Sequence, residues 1–230
     1  MPAANPAPPA TVDPPPAPIP TPAPTPVTEC ETRGAYTLCV TIQAFGVSAV
    51  TVDHMTEVFF NVYPQLAQRF NRAAPASVIF NIVPDYQYIA AAGGNAVTYQ
   101  SQWSIQHPQD YDVVVHEVMH LVQDYNTAPG WLTEGIADYA RYHYGMNNAA
   151  AGWTLQLPAG HAFTDGYGVT ARFLIWVEAR YAVEAVDVLD AALRARTYEA
   201  GLWMTLTGKN MGELWAEYAA DSAFRTPADP

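Results

Sequence analysis

The stretch Val113-Val114-Val115-His116-Glu117-Val118-Met119-His120 decides how this chain is read. In an α-helix, residues four apart lie on one face, about 40° from one another, so His116 and His120 can turn two imidazole nitrogens toward one metal ion. Glu117, one position on, is rotated by about 100° and stands beside such an ion rather than on it. A zinc hydrolase uses this pairing: zinc brings the pKa of a water down to about 7, and a neighbouring carboxylate takes the proton as the water attacks a carbonyl. Such a five-residue pattern also occurs by chance on solvated helices. Here three valines lead straight into it and Val118 and Leu121 flank it. A helix so apolar is a buried one, and buried His and Glu side chains need partners.

A catalytic zinc site takes three protein ligands and keeps its fourth position open. Downstream runs Ala128-Pro129-Gly130-Trp131-Leu132-Thr133-Glu134-Gly135-Ile136-Ala137-Asp138-Tyr139. Pro-Gly makes a turn and Thr133 is the expected N-cap of a second helix, on which Glu134 and Asp138 share a face. Glu134 can then supply the third ligand. Asp138, one turn on, can accept a hydrogen bond from the far nitrogen of a ligating histidine. The competing reading makes both of them acids favoured by the helix dipole, which accounts for their position but not for their pairing with the upstream motif.

Tyr167 lies in Asp165-Gly166-Tyr167-Gly168-Val169-Thr170-Ala171-Arg172-Phe173, at a turn before an apolar helix. A phenol there can donate to a developing oxyanion, or it can simply pack its ring on the core with the hydroxyl in water. Asp165 reads as a helix cap and Arg172 as a carboxylate's partner. His161, on the loop leading to Tyr167, is a candidate substrate contact. His143, nine residues after Glu134, is half a turn out of phase and should face away from the metal. His54 and His107 have no companion ligand nearby in sequence.

Around these motifs the pattern is strands first and helices later. Alternation predicts a strand over residues 34–46, and apolar residues at helical spacing predict a long helix over 50–70, kinked at Pro64. The β-branched run Ser77-Val78-Ile79-Phe80-Asn81-Ile82-Val83 predicts another strand. Residues 86–92 and 95–100 flank Gly93-Gly94 as a hairpin. Helices are expected over 110–125, 133–144, 164–182, 185–196 and 212–220. This order indicates an α+β fold: an N-terminal mixed sheet with a helix, a central helix bearing the His-Glu-His motif, and a helical C-terminal part.

The chain has 230 residues, of which 20 are prolines, and 12 of those fall within residues 1–28. That segment alternates Pro with Ala and Thr, has little to bury and reads as an extended linker, leaving residues 29–225 as the folded domain. With 22 Asp and Glu against 10 Lys and Arg, the formal charge of −12 argues against a nucleic-acid partner. No apolar run reaches the roughly 18–20 residues that span a bilayer, which excludes membrane insertion by a helix. Cys30 and Cys39 have a spacing that suits neither a zinc knuckle nor a redox pair. A local disulfide from a strand to the segment before it is the preferred reading, with two free thiols of a reducing compartment as the alternative. Residues 1–10 show no export signal. The linker and the cysteine pair together lead us to expect a secreted, extracellular or periplasmic protein whose export signal has been removed upstream.

The segment from about 113 to 218, with HEVMH, PGWLTEGIADYAR, DGYGVTARFL and GELWAEY, resembles the plant and bacterial basic secretory protein family, classed as zinc peptidases. The first two of these motifs are similar to those of the zincins that take glutamate as their third ligand. The resemblance implies a zincin-like fold, one catalytic Zn2+ held by His116, His120 and Glu134, and Glu117 as general base. It also implies a sheet edge beside the metal helix that aligns an extended substrate, here expected at Ala96, Val97, Thr98 and Tyr99. The chain is acidic despite the family's name, so no role resting on positive charge carries over. The expected activity is hydrolysis of a protein, peptide or glycopeptide by a monomeric metallopeptidase. Two rivals stand beside it: a non-catalytic extracellular binding protein that zinc merely stabilises, and a zinc amidase or glycopeptidase.

Overall fold

The computed structural model describes residues 24–226. Strands β1 (Val27–Arg33) and β2 (Tyr36–Ile42) lead into helix α1 (Ala49–Arg69), followed by β3 (Ser77–Val83), β4 (Ala90–Gly93) and β5 (Ala96–Gln100). Helices follow: α2 (Ser101–Gln106), α3 (Val113–Gln123), α4 (Gly130–Tyr144), α5 (Asn148–Ala151), α6 (Tyr167–Arg180), α7 (Ala185–Arg194), α8 (Gly201–Thr207) and α9 (Met211–Ala220). The architecture is α+β, as the order of patterns predicts.

The sheet order is β1-β2-β3-β5-β4. Its three central strands run parallel, and the outer two pair antiparallel with their neighbours. Alternation fixes which side is buried: Leu38 and Val40 on β2 and Val78, Phe80 and Ile82 on β3 face inward. Against this sheet α1 presents Phe59, Val62, Tyr63 and Leu66 at helical spacing. Phe59 meets Phe80 edge to face at 5.7 Å and stacks on Tyr63 at 4.9 Å. Each such buried side chain contributes about 1.5–3 kcal/mol. Helix α3 packs on α1, β4 and β5 and is covered on its other side by α4, which α6 backs in turn. Phe173 of α6 joins Trp203, Trp215 and Tyr218 with ring centroids 5.5–6.0 Å away, tying α8 and α9 to the helical half.

Several expectations need correction. The expected linker runs into β1: Val27 and Thr28 pair with Ile42 and Thr41. This edge strand, VTECETR, is exposed along nearly its whole length, so it has no apolar alternation to betray it. Residues 1–23 of that linker lie outside the described residues. Gly34, at φ +59, makes the turn between β1 and β2, so the strand expected over 34–46 begins only at Tyr36. Cys30 and Cys39 are directly opposed across the two strands and form the local disulfide, with Cα atoms 4.0 Å apart. The hairpin around Gly93-Gly94 is present, but β5 lies between β3 and β4, so Ala96–Gln100 is interior and β4 is the sheet edge. Helix α4 begins at Gly130 with Pro129 as N-cap, so Thr133 lies within the first turn, its hydroxyl donating to the Pro129 carbonyl. The short helices α2, α5 and α8 carried no periodicity long enough to read. No helix among the described residues is long and apolar enough to cross a membrane.

Candidate metal centre

Helix α3 is buried at every position except His120, with His116 at 8% and Glu117 at 6% exposure. The valines that precede the motif thus sink it into the core, and its polar groups find partners on α4. Asp138 Oδ1 lies 2.7 Å from His116 Nδ1, and Glu134 Oε2 lies 3.2 Å from His116 Nε2. One turn of α4 therefore grips both ends of a single imidazole. His120 Nε2 is 3.1 Å from His116 Nε2 and 3.6 Å from Glu134 Oε2. The three sequence-predicted ligands converge, and they form the one group of potential metal-binding side chains found among the described residues.

The donor set fits zinc. Bonds of about 2.0–2.1 Å in a tetrahedron place ligand atoms about 3.3–3.4 Å apart, and the three edges here measure 3.1, 3.2 and 3.6 Å. The hydrogen-bond partners also assign the tautomers. Nδ1 of His116 gives its hydrogen to Asp138, and Nδ1 of His120 gives its hydrogen to Gln123 Oε1 at 2.7 Å. Both Nε2 atoms then offer lone pairs to the same point as the Glu134 carboxylate, an arrangement a cation satisfies. Electrostatics agree. Burial would push His116 down, but its hydrogen bonds to Asp138 and Glu134, with the neighbouring acidic charges, hold it up to about 10. That is the field of several carboxylates favouring positive charge at this spot, whether a proton or a metal bears it. Burial works against the Glu134 charge too, yet the two imidazoles hold its carboxyl down to about 2.

Glu117 behaves differently. Burial raises its pKa against the lowering pull of the two histidines, and its Oε2 has no hydrogen-bond partner among the described residues. Tyr167 is the first residue of α6, at φ +46 after Gly166 at φ +77. Its ring lies parallel to that of His116 with centroids 6.0 Å apart, and 54% of the residue is exposed. Burial and the carboxylates of Glu134, Asp138 and Glu117 raise its pKa, so the phenol keeps its hydrogen. Gly135 lets α6 come this close: a Cβ there would lie 2.2 Å from Thr170 Cγ2.

These groups open onto a cleft of about 1090 Å³, walled by the β4 edge, α3, α4, Trp103, Trp153 and Tyr167. Ala96, Val97, Thr98 and Tyr99 do not line it, because β4 stands between β5 and the opening. Tyr99 is instead fully buried, its hydroxyl without a partner among the described residues and its pKa raised first by burial and then by the charge of Glu117. His161 also lies outside the cleft lining and hydrogen-bonds Asp165 at 2.9 Å. Asp165, read as a helix cap, accepts from the Ala162 N–H in the short turn before α6. Arg172 is buried and donates to the Tyr218 hydroxyl and the Phe224 carbonyl. His54 packs tilted against Tyr111, His107 stacks on Trp103, and His143 lies against Tyr139. Gln123 escaped the sequence reading, although a glutamine three residues after His120 on so apolar a helix was the available signal. Arg141, paired with Asp110 and lining the same cleft, was missed because Asp110 lies 31 residues away.

Solved structures share the fold. A two-domain M1 zinc metallopeptidase bound to L-tryptophan matches with a TM-score of 0.53 at 15% identity, over 90% of this chain and 54% of the other. An M1 zinc metallopeptidase from Deinococcus radiodurans matches with a TM-score of 0.53 at 14% identity, over 90% of this chain and 53% of that one. The chain thus spans about half the length of these structures, and the likeness is one of fold. No curated protein matches in sequence. Residues 42–218 match the BSP family, described as a peptidase of plants and bacteria, and the chain belongs to that family.

Proposed function

We propose that this chain is a secreted, monomeric, zinc-dependent metallopeptidase of zincin type. The observation that carries the reading is the triangle of His116 Nε2, His120 Nε2 and Glu134 Oε2, on the wall of a cleft that Glu117 also lines. When bound, zinc supplies Lewis acidity, which polarises a carbonyl and acidifies water. His116, His120 and Glu134 would hold it, with Asp138 fixing the first imidazole. Glu117, its basicity raised by burial, accepts a proton from the attacking water and passes it to the departing amine. The Tyr167 phenol donates to the oxygen on which negative charge develops. The β4 edge, Ala90–Gly93, has free backbone groups that can pair with an extended peptide across the cleft.

Three donors rather than four favour catalysis over a purely structural ion. Membership of a peptidase family supports protein or peptide substrates. The Cys30–Cys39 disulfide supports an oxidising, extracellular or periplasmic location. The test is metal analysis of the purified protein together with cleavage of a peptide and glycopeptide library, with and without a chelator. We expect one zinc per chain and chelator-sensitive cleavage, with Glu117→Gln retaining the metal and losing the cleavage. Full activity in Glu117→Gln, or no stoichiometric metal, would overturn the reading.

A further inference from the structure

The two histidines of the centre are supported differently. Behind His116 stands a carboxylate, whereas behind His120 stands the amide of Gln123, only 1% exposed. That amide bridges two helices. Its Oε1 lies 2.7 Å from His120 Nδ1, and its Nε2 donates at 2.9 Å to the backbone carbonyl of Thr133, the residue immediately before Glu134. The carbonyl can only accept, so the amide cannot be turned over without setting oxygen against oxygen. Oxygen must therefore face the imidazole, and His120 must carry its hydrogen on Nδ1. One side chain thereby fixes the tautomer and ring orientation of the second histidine and ties it to the turn that presents the third ligand.

We propose that Gln123 is a positioning residue of the metal centre: through His120 and the Thr133 carbonyl it sets the affinity for zinc. The proposal rests on the metal-site reading above. Gln123 is not one of the candidate ligands, so its influence on an ion is exerted through His120 and through the turn that presents Glu134.

The test titrates metal-free protein with Zn2+ against a chromophoric chelator, for the parent chain, Gln123→Met and Gln123→Glu. Methionine keeps the length and loses both hydrogen bonds. Glutamate keeps an acceptor for His120 but sets its second carboxyl oxygen against the Thr133 carbonyl. We expect both variants to weaken Zn2+ binding, Gln123→Met about 10–100-fold. Either variant binding as tightly as the parent would overturn the proposal. A measurement on the unmodified chain guards against a variant that fails to fold: in the 15N spectrum of the Zn2+-loaded protein, the His120 ring should carry its hydrogen on Nδ1. A hydrogen on Nε2 would equally overturn it. A parent chain that takes up no Zn2+ would remove the metal-site reading and this inference with it, whereas a parent that binds beside an indifferent Gln123→Met removes only this inference.

Discussion

Asp138 holds His116 from behind, its Oδ1 accepting a hydrogen bond from Nδ1 at 2.7 Å across 22 residues of sequence. Both side chains are at least nine-tenths covered. The carboxylate fixes the imidazole's tautomer and makes its other nitrogen a stronger donor to a metal. Asp138→Ala should therefore weaken zinc binding about 10–100-fold, or about 1.4–2.7 kcal/mol, in chelator competition. Unchanged affinity would mean the pair is only a buried ion pair.

Tyr167 stands over the His116 ring, with its phenol held in the neutral form by burial and nearby carboxylates. A donor to a developing oxyanion acts on the transition state rather than on the metal. Tyr167→Phe should lower kcat about 10²–10³-fold while leaving the zinc affinity as it was. Steady-state kinetics that show only a KM change would instead assign the ring to substrate packing.

Gly135 marks the closest approach of α4 and α6. An alanine Cβ would meet Thr170 Cγ2 at 2.2 Å and Thr170 Cβ at 2.6 Å, so one of the helices must shift. Gly135→Ala should cost about 1–3 kcal/mol in denaturant unfolding. Because α6 carries Tyr167 at its start, activity should fall as well. Adding Thr170→Ser removes the nearer of the two clashing atoms and should restore part of both. A fully stable Gly135→Ala would show that α4 and α6 accommodate the added methyl without strain.

His143 gives stability a pH dependence away from the metal. Desolvation beside the Tyr139 and Tyr142 rings, followed by the charge of Arg69, lowers its pKa from 6.5 to about 4, although the side chain keeps an exposed edge. The unfolded chain thus binds a proton in that window while the folded chain does not. Stability from this group is complete above about pH 6.5 and is lost as pH falls toward 4. Unfolding midpoints measured across that range should decline, and His143→Phe should flatten the slope. An identical slope in the variant would assign the decline to other groups.

Much of the centre was legible because helix geometry is local. His116, Glu117 and His120 follow from spacing within one turn, and the apolar residues around them announce a buried helix. Glu134 and Asp138 were readable for the same reason, one turn apart on the next helix. Gln123 was written in the same helix but carries meaning only through the Thr133 carbonyl, which no spacing rule reaches. The edge strand shows the opposite limit. Alternation located both strands of the hairpin, yet which one borders the cleft depends on the pairing of β5 with β3, a contact between segments far apart in the chain.

The sequence by itself determined the α+β order, the two motif helices, the cysteine pair and the three candidate ligands, because each rests on periodicity or spacing within a short segment. Only the tertiary structure decided that β4 rather than Ala96–Tyr99 faces the cleft. It also decided that His161 stands apart, that Tyr167 comes up beside His116, and that Gln123 joins the two helices. The physical reason is common to all four. A side chain's neighbours across the core are set by how sheets and helices pack, and packing is a property of the whole chain rather than of any window of it.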